Sequence, residues 1–283
     1  MVYFVFMVRL DQWVGKRDRV LVMGVINVAP DSFFPASCML SPRLAAECAQ
    51  RMVADGADII DIGGESSRPG SSPISADEEL ERVLPVLEKI HAECDVVLSV
   101  DTTKADVARE ALERGASIIN DISALRADPN MATVAAERNA YVVLMHMQGT
   151  PRTMQATPEY DDVTGEVLEF LEERVREATK RGIARERLFI DPGIGFGKRL
   201  LHNLALLRDI DRFAAIGLPV LVGVSRKSFL GELLDLPASE RLEGTLAAQA
   251  VAVALGADIL RVHDVKEGRR AADTARRLRK DAT

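Results

Sequence analysis

One unit, repeated eight times, constrains the fold more than anything else in the chain: a short run of Val, Ile and Leu, then a longer stretch of helical period. The runs are Val20–Ile26, Asp58–Ile62, Val96–Val100, Ser117–Ile119, Tyr141–Met145, Arg187–Ile190, Pro219–Gly223 and Asp258–Val262. Most lack polar alternation, the pattern of parallel strands covered on both faces. The segments Pro42–Asp55, Ala76–His91, Lys104–Arg114, Pro129–Arg138, Asp161–Arg181, Leu201–Ile216, Ala238–Leu255 and Lys266–Arg279 read as helices. Glycine stands where a helix stop is expected at Gly56, Gly115, Gly182, Gly217 and Gly256, three times followed by Ala. Thr103 and Ser75 are expected helix N-caps, the latter with Glu78 as a capping box.

Eight strand–helix pairs in 283 residues fit a (β/α)₈ TIM barrel, and an open doubly wound sheet would share the alternation. No linker or composition shift divides the chain, so residues 1–283 are read as one domain. Within it, residues 20–283 form the barrel and residues 1–19, with Gly15 near a basic turn, an appended N-terminal β-hairpin. The net charge of −7 argues against a nucleic-acid partner. Cys38, Cys48 and Cys94 form no CxxC pair, which suits a reducing compartment rather than a disulfide scaffold or zinc ribbon. The apolar run Val2 to Val8 is too short for a membrane span and lacks signal-peptide flanks, so a cytoplasmic protein is expected.

Polar residues gather where the strands end. The first runs into Asn27 and Pro30-Asp31-Ser32-Phe33, the second into Gly63-Gly64-Glu65-Ser66-Ser67-Arg68-Pro69-Gly70, the third into Asp101-Thr102 and the fourth into Asn120-Asp121. The fifth gives His146 and Gln148, the sixth Asp191-Pro192-Gly193, the seventh Ser225-Arg226-Lys227-Ser228 and the eighth His263-Asp264, with Arg261 just inside it. A closed barrel brings all eight ends to one rim, where barrel active sites are built. Any one Asp or Asn there also serves as an N-cap or Asx turn; Asp101, Asn120, Asp191 and Lys227 together point to a site. Arg68 and Arg261 suit an anionic ligand such as phosphate, although Arg68 taken alone reads equally well as an exposed surface arginine. Gly193-Ile194-Gly195-Phe196-Gly197-Lys198 fails the Walker spacing and reads as a rim loop. His91, His146, His202 and His263 form no paired zinc motif, and His91 and His202, on helices, read as structural or exposed. Magnesium shared with a ligand phosphate needs only one or two protein oxygens, and Asn27 can supply one. The small residues of Gly244 to Leu255 fit close helix packing or a dimer contact equally well.

These motifs resemble, in order, those of the dihydropteroate synthase family. Met23-Gly24-Val25-Ile26-Asn27-Val28-Ala29-Pro30-Asp31-Ser32-Phe33 resembles its opening signature and Gly63 to Gly70 its second. The matches continue through Ser99 to Thr102, Asn120 to Ser123, Leu144 to Gly149, Asp191 to Lys198, Ser225 to Ser228 and Arg261 to Val265. The resemblance implies a TIM barrel that condenses 6-hydroxymethyl-7,8-dihydropterin diphosphate with p-aminobenzoate, with Mg2+, and is a sulfonamide target. A homodimer is expected separately, with Gly244 to Leu255 and its neighbours as the contact. It implies a pterin site of Asp101, Asn120, Met145, Asp191, Phe196, Gly223 and Lys227, and a diphosphate site of Asn27, Ser67, Arg68, Arg261 and His263. It implies a p-aminobenzoate site of Phe33, Pro69, Lys227 and Ser228, catalysis by Asp101, Lys227, Arg261 and His263, and magnesium on Asn27. Ala29 departs from the usual Thr, Ser67 from the commoner Thr, and Phe34 to Cys38 from a Ser/Asp/Gly-rich run. These departures motivate one alternative, a non-catalytic pterin-binding homologue with a regulatory role. A pterin-binding methyltransferase on the same barrel is a further one.

Overall fold

The computed structural model of the protein describes residues 10–28 and 41–279. Eight parallel strands form one sheet: β1 (Leu21–Asn27), β2 (Ile59–Gly63), β3 (Val97–Asp101), β4 (Ile118–Asp121), β5 (Tyr141–Met145), β6 (Leu188–Asp191), β7 (Leu221–Val222) and β8 (Ile259–Val262). Each pairs with its sequence neighbour and β1 pairs with β8. The ring closes between β6 and β7 through the Ile190–Val220 bridge, where the Ile190 N–H donates to the Pro219 carbonyl at 3.0 Å. Sequential order with closure is a barrel, not a doubly wound sheet, which would reverse direction at its switch point.

Side-chain alternation explains how an almost wholly apolar strand serves two layers. Val22, Ile60, Leu98, Ile119, Val142, Ile190, Val222 and Leu260 belong to the outer core, beneath the helices. Met23, Ile59, Val97, Ile118, Val143, Phe189, Leu221 and Ile259 form a separate inner cluster that fills the barrel. The helices present small faces to the strands, as with Ala45, Ala46 and Ala49 on α2 (Pro42–Ala54) and Ala105, Ala108 and Ala111 on α4 (Ala105–Glu113). Gly56, Gly115 and Gly256, at the three Gly-Ala joints, all have φ between 102° and 120°, which explains why glycine recurs there.

The N-terminal segment corrects the expectation of a hairpin. Residues 10–16 are helical (α1), and the remainder of the expected hairpin, residues 1–9, lies outside the described residues. Leu10 and Trp13 of this helix join the inner cluster and plug the barrel floor. Trp13 meets Phe189 edge-on at 6.2 Å, and its indole N–H donates to the Arg19 carbonyl at 2.8 Å. Asp11 accepts from the Tyr141 hydroxyl and from Arg187, whose guanidinium lies 4.5 Å over the Tyr141 ring. Trp13→Ala should cost about 3–5 kcal/mol of stability, because the floor cannot collapse onto the vacated volume. Denaturant titration checks this; a loss below 1 kcal/mol would mean that the helix does not seal the barrel.

Other elements follow expectation with local departures. Ser75 caps α3 (Ala76–Glu93) by accepting from the Glu78 N–H at 3.1 Å, but Glu78 turns to Arg82 instead of completing the box. Thr103 does not cap α4: Lys104 is the N-cap, and the Asp128 carboxylate accepts from the Ala105 N–H at 2.8 Å. The helix expected over Leu201–Ile216 breaks at Asp209 into α7 (Leu200–Arg208) and α8 (Ile210–Ala214), where Asp209 accepts from the Thr164 hydroxyl. After α5 (Met131–Glu137) and α6 (Val163–Lys180), one helix was not anticipated, α9 (Ser228–Leu234). The expected helix over Ala238–Leu255 is a short 3-10 turn and then α10 (Leu242–Ala254), and α11 (Val265–Leu278) ends the described chain.

Candidate active site

The alternation that fills the barrel also builds its mouth. Continuing inward from Ile59 and Val97 in steps of two reaches Asp61 and Gly63 on β2, and Ser99 and Asp101 on β3. The same steps reach Asn120 on β4, Met145 on β5, Asp191 on β6 and Arg261 on β8. Strand register sets these side by side: Asp61 opposite Ser99, Gly63 opposite Asp101, Asp101 opposite Asn120, and Met145 opposite Asp191. A pocket at the C-terminal ends is lined by Ser67, Asp101, Asn120, Met145, Asp191, Phe196, Gly223, Lys227, Arg261 and His263, with Val25, Ile122 and Ser225. Ten sequence-assigned residues from separate segments therefore share one concavity.

Arg261 organises the charges. Its Nε donates to Asp61 Oδ2 at 2.7 Å and its Nη2 to Asp101 Oδ2 at 2.8 Å. The same Asp61 oxygen accepts from the Asn120 amide at 3.0 Å, which leaves the Asn120 carbonyl oxygen as its acceptor toward the pocket. Asp61 is fully buried and escaped the sequence reading, which collected strand ends; an Asp inside the otherwise apolar Ile59–Gly63 was the available signal. Burial raises Asp101 to about 7, against the pull of Arg261 and with the push of Asp61. Burial also raises Asp191, opposed by Lys227. Asp191 accepts from the Gly193 N–H at 2.7 Å, so it is an Asx turn and a pocket carboxylate at once.

Lys227 is lowered to about 8 by burial, with Asp191 holding it up. Its ammonium donates to the Ile194 carbonyl and lies 4.4 Å from the Phe196 ring centre. Arg226, at a φ of 53°, donates through Nε and Nη2 to both oxygens of Asp264, each at 2.8–2.9 Å, tying the turn before Lys227 to the turn after His263. His263 is pushed down to about 4 by burial and then by Arg261, and its Nδ1 lies 3.0 Å from the Ser225 hydroxyl. It is therefore neutral at pH 7.

The glycine-rich loop is tightly turned, with φ of 67°, 84° and 61° at Gly193, Gly195 and Gly197. A Cβ on Gly193 would sit 1.9 Å from the His146 carbonyl oxygen. Lys198 does not face a ligand: it is buried beneath this loop, donating to the Gly193 and Phe196 carbonyls at 2.9 Å and contacting His146 Nδ1 at 3.0 Å. His91 packs under Gly115 and His202 accepts from the Arg199 N–H, both structural. Asp121 is structural too, accepting from Ser123 and Leu125.

Among the described residues, four assigned ones lie outside the lining. Asn27 ends β1, its Oδ1 3.3 Å from where a Cβ on Gly63 would stand. Arg68 lies close enough to His263 to depress its pKa, Pro69 is exposed on the loop after β2, and Ser228 is exposed at the first turn of α9. Phe33, Ala29 and Phe34 to Cys38 lie outside the described residues.

The sequence profile of the pterin-binding enzymes matches residues 23–263. The dihydropteroate synthase of Escherichia coli is 50% identical over 246 residues, 87% of each chain, and that of Bacillus subtilis 47% identical over 253 residues, 89% of this chain and 86% of its own. The Yersinia pestis dihydropteroate synthase structure with a sulfonamide drug superposes with a TM-score of 0.90 at 44% identity, covering 93% of this chain and 95% of its own. The Xanthomonas albilineans enzyme with 4-aminobenzoic acid superposes at 0.86 and 43% identity, covering 93% and 94%. With its barrel, its rim and these relatives in agreement, the chain belongs to the pterin-binding enzyme family, among the dihydropteroate synthases.

Proposed function

We propose that the chain condenses 6-hydroxymethyl-7,8-dihydropterin diphosphate with p-aminobenzoate, giving 7,8-dihydropteroate and pyrophosphate for folate synthesis. The observation that carries this reading is the pocket itself: buried carboxylates, an inward arginine and a half-buried lysine around an apolar floor of Met145 and Phe196. A flat heterocycle with a donor-rich edge suits such a slot. Asp191, Asn120, Asp101 and Lys227 bond its edge, Met145 and Phe196 cover its faces, and Gly223 leaves room for the ring. Arg261, His263, Ser67, Arg68 and Asn27 hold the diphosphate. Lys227, Ser228, Pro69 and Phe33 receive p-aminobenzoate, the first two at its carboxylate.

The chemistry asks little of the protein by way of nucleophiles. The bond between the pterin methylene carbon and the diphosphate oxygen breaks, and its electron pair leaves with pyrophosphate. The aromatic amine attacks the methylene carbon of the resulting cation and then loses a proton. Arg261 stabilises the departing negative charge, the Asp101 carboxylate faces the positive charge left behind, and the rim holds the amine in line. Excluding water from the mouth prevents hydrolysis of the cation.

Magnesium fits as a proposal. Asn27 offers a hard carboxamide oxygen at the rim, and no cluster of three His, Cys, Asp or Glu occurs among the described residues. That donor set suits an ion sharing one protein oxygen with ligand phosphates and waters. Bound there, it would neutralise diphosphate charge.

Product analysis tests the reading: pterin diphosphate and p-aminobenzoate should give dihydropteroate and pyrophosphate in equal amounts. Binding of the pterin without product would instead favour the non-catalytic homologue.

We assign the protein a cytoplasmic location and a homodimeric state; no helix among the described residues is long and apolar enough to cross a membrane. An apolar groove between α10 and α11, lined by Leu246, Ala250, Val251, Ala271, Thr274 and Leu278, supports the dimer, with Val251 half exposed. Val251→Glu should convert the dimer to monomer in analytical ultracentrifugation. An unchanged sedimentation coefficient would remove this face from the interface.

A further inference from the structure

Beneath the loop after β2 lies an ionic cluster that the condensation does not use. Glu79, in the first turn of α3, is fully buried. A buried carboxylate is costly unless paired, and its partner is Lys104. The Lys104 ammonium lies 2.5 Å from Glu79 Oε2 and also donates to Glu65 Oε2. One ammonium thus joins three segments: the loop after β2, the first turn of α3 and the turn between β3 and α4.

The joined loop carries Ser67 and Arg68. Glu65 closes it into a ring, because the oxygen that meets Lys104 also accepts from the Ile74 N–H at 3.4 Å. Its base is pressed onto α3: a Cβ on Gly64 would come 2.7 Å from Val83 and 2.9 Å from Glu79, and Arg82 donates to the Gly64 carbonyl at 3.0 Å. Inside the ring, the Ser71 hydroxyl donates to the Ser66 carbonyl at 2.6 Å and the Ser71 N–H to that of Arg68 at 3.1 Å. A cavity of about 20 Å³ is lined both by the cluster, through Lys104, Glu79 and Glu65, and by the site residues Ser67 and Asp101. That volume takes one water molecule. The cluster therefore reaches the pocket at Ser67, on the diphosphate side, while Met145 and Phe196 do not line this cavity.

We propose that Lys104, fixed by Glu79, is a positioning residue that sets the loop after β2 so that Ser67 and Arg68 face the diphosphate. The inference rests on the functional reading above for the identity of that anion. A merely structural ion pair would support the barrel and affect every ligand alike, whereas a loop-setting ammonium affects the anion alone. Lys104→Met leaves Glu79 buried without its partner and risks misfolding, so the double variant Lys104→Met/Glu79→Gln, which removes both charges while keeping their volume, carries the test.

Calorimetry with two probes, inorganic pyrophosphate in the presence of magnesium and 6-hydroxymethylpterin without a diphosphate, reads the effect in the full chain. The double variant should bind pyrophosphate about tenfold to a hundredfold more weakly, while pterin affinity, reached only through the Glu79 charge near Asp101, should change by about threefold or less. Amide hydrogen exchange should rise at residues 65–74 and stay level in the strands. Lys104→Arg, which keeps the charge, should recover part of the pyrophosphate affinity. Unchanged pyrophosphate binding, or equal weakening of both probes, would overturn the proposal. If the unmodified chain bound neither probe, the functional reading would fail, while unaltered exchange at residues 65–74 in the double variant would separately reject Lys104 as the loop's anchor.

Discussion

Asp101→Asn is expected to lower kcat about a hundredfold to a thousandfold without loss of fold. The asparagine carbonyl oxygen can still accept from Arg261 Nη2, so the contact at 2.8 Å survives while the negative charge does not. What disappears is the field opposite the cation, an interaction made chiefly in the transition state, so kcat should fall by much more than KM for the pterin rises. The rise reflects the weaker bond that the neutral asparagine side chain makes to the pterin edge. Stability should move the other way. Burial raises Asp101 in the folded chain to about 7, above the unfolded value of about 4. The folded state then binds this proton more tightly, and the group's contribution to stability declines as pH rises from about 4 to about 7. Removing the charge removes that decline, so the variant should melt at or above the wild-type temperature at pH 8. A variant that kept near-wild-type turnover would show that Asp101 has been given the wrong role.

Lys227→Ala should be equally damaging, because one ammonium serves both the pterin edge and the aminobenzoate carboxylate. Loss of a hydrogen-bonded charge pair at each contact predicts a fall in kcat/KM of about a thousandfold or more. The pH profile gives a sharper signature. Wild-type kcat/KM, which reports the free enzyme, should fall below about 7 as Asp101 takes up its proton and above about 8 as Lys227 loses its own. In the residual activity of Lys227→Ala the alkaline limb should be gone while the acid limb remains. Steady-state kinetics between pH 5.5 and 9.5 decide this; a variant that kept both limbs would assign the alkaline group elsewhere.

The barrel was legible because its strands are Val-, Ile- and Leu-rich runs separated by helices of regular period, and strand ends fell within one or two residues of expectation. The rim was legible for a related reason: polar residues at the ends of apolar strands stand out, and closure brings them together. Asp61 was not legible as a site residue, since its partners Asn120 and Arg261 lie 59 and 200 positions away and only the closed ring makes them neighbours. The rim loop Gly193 to Lys198 was legible, but the fate of its Lys198 was not: the left-handed turns at three glycines fold the loop over it and bury it. The helix of residues 10–16 was read as a hairpin because Gly15 and the basic residues after it suggest a turn; packing of Leu10 and Trp13 into the barrel floor overrides that local preference. Asp209 divides a helix for a tertiary reason as well, its bond to Thr164 on the neighbouring α6.

The central claim is that charge placed at the barrel mouth, rather than a nucleophile from the protein, drives the exchange of pyrophosphate for an aromatic amine. A single-turnover experiment with protein in excess over pterin diphosphate tests it most directly, with p-aminobenzoate and magnesium present and both the products and the intact protein mass followed by mass spectrometry. The account predicts dihydropteroate and pyrophosphate appearing together while the protein keeps its unmodified mass throughout. A pterin adduct on the chain that forms and decays at the rate of turnover, or a failure to form dihydropteroate at all, would contradict it.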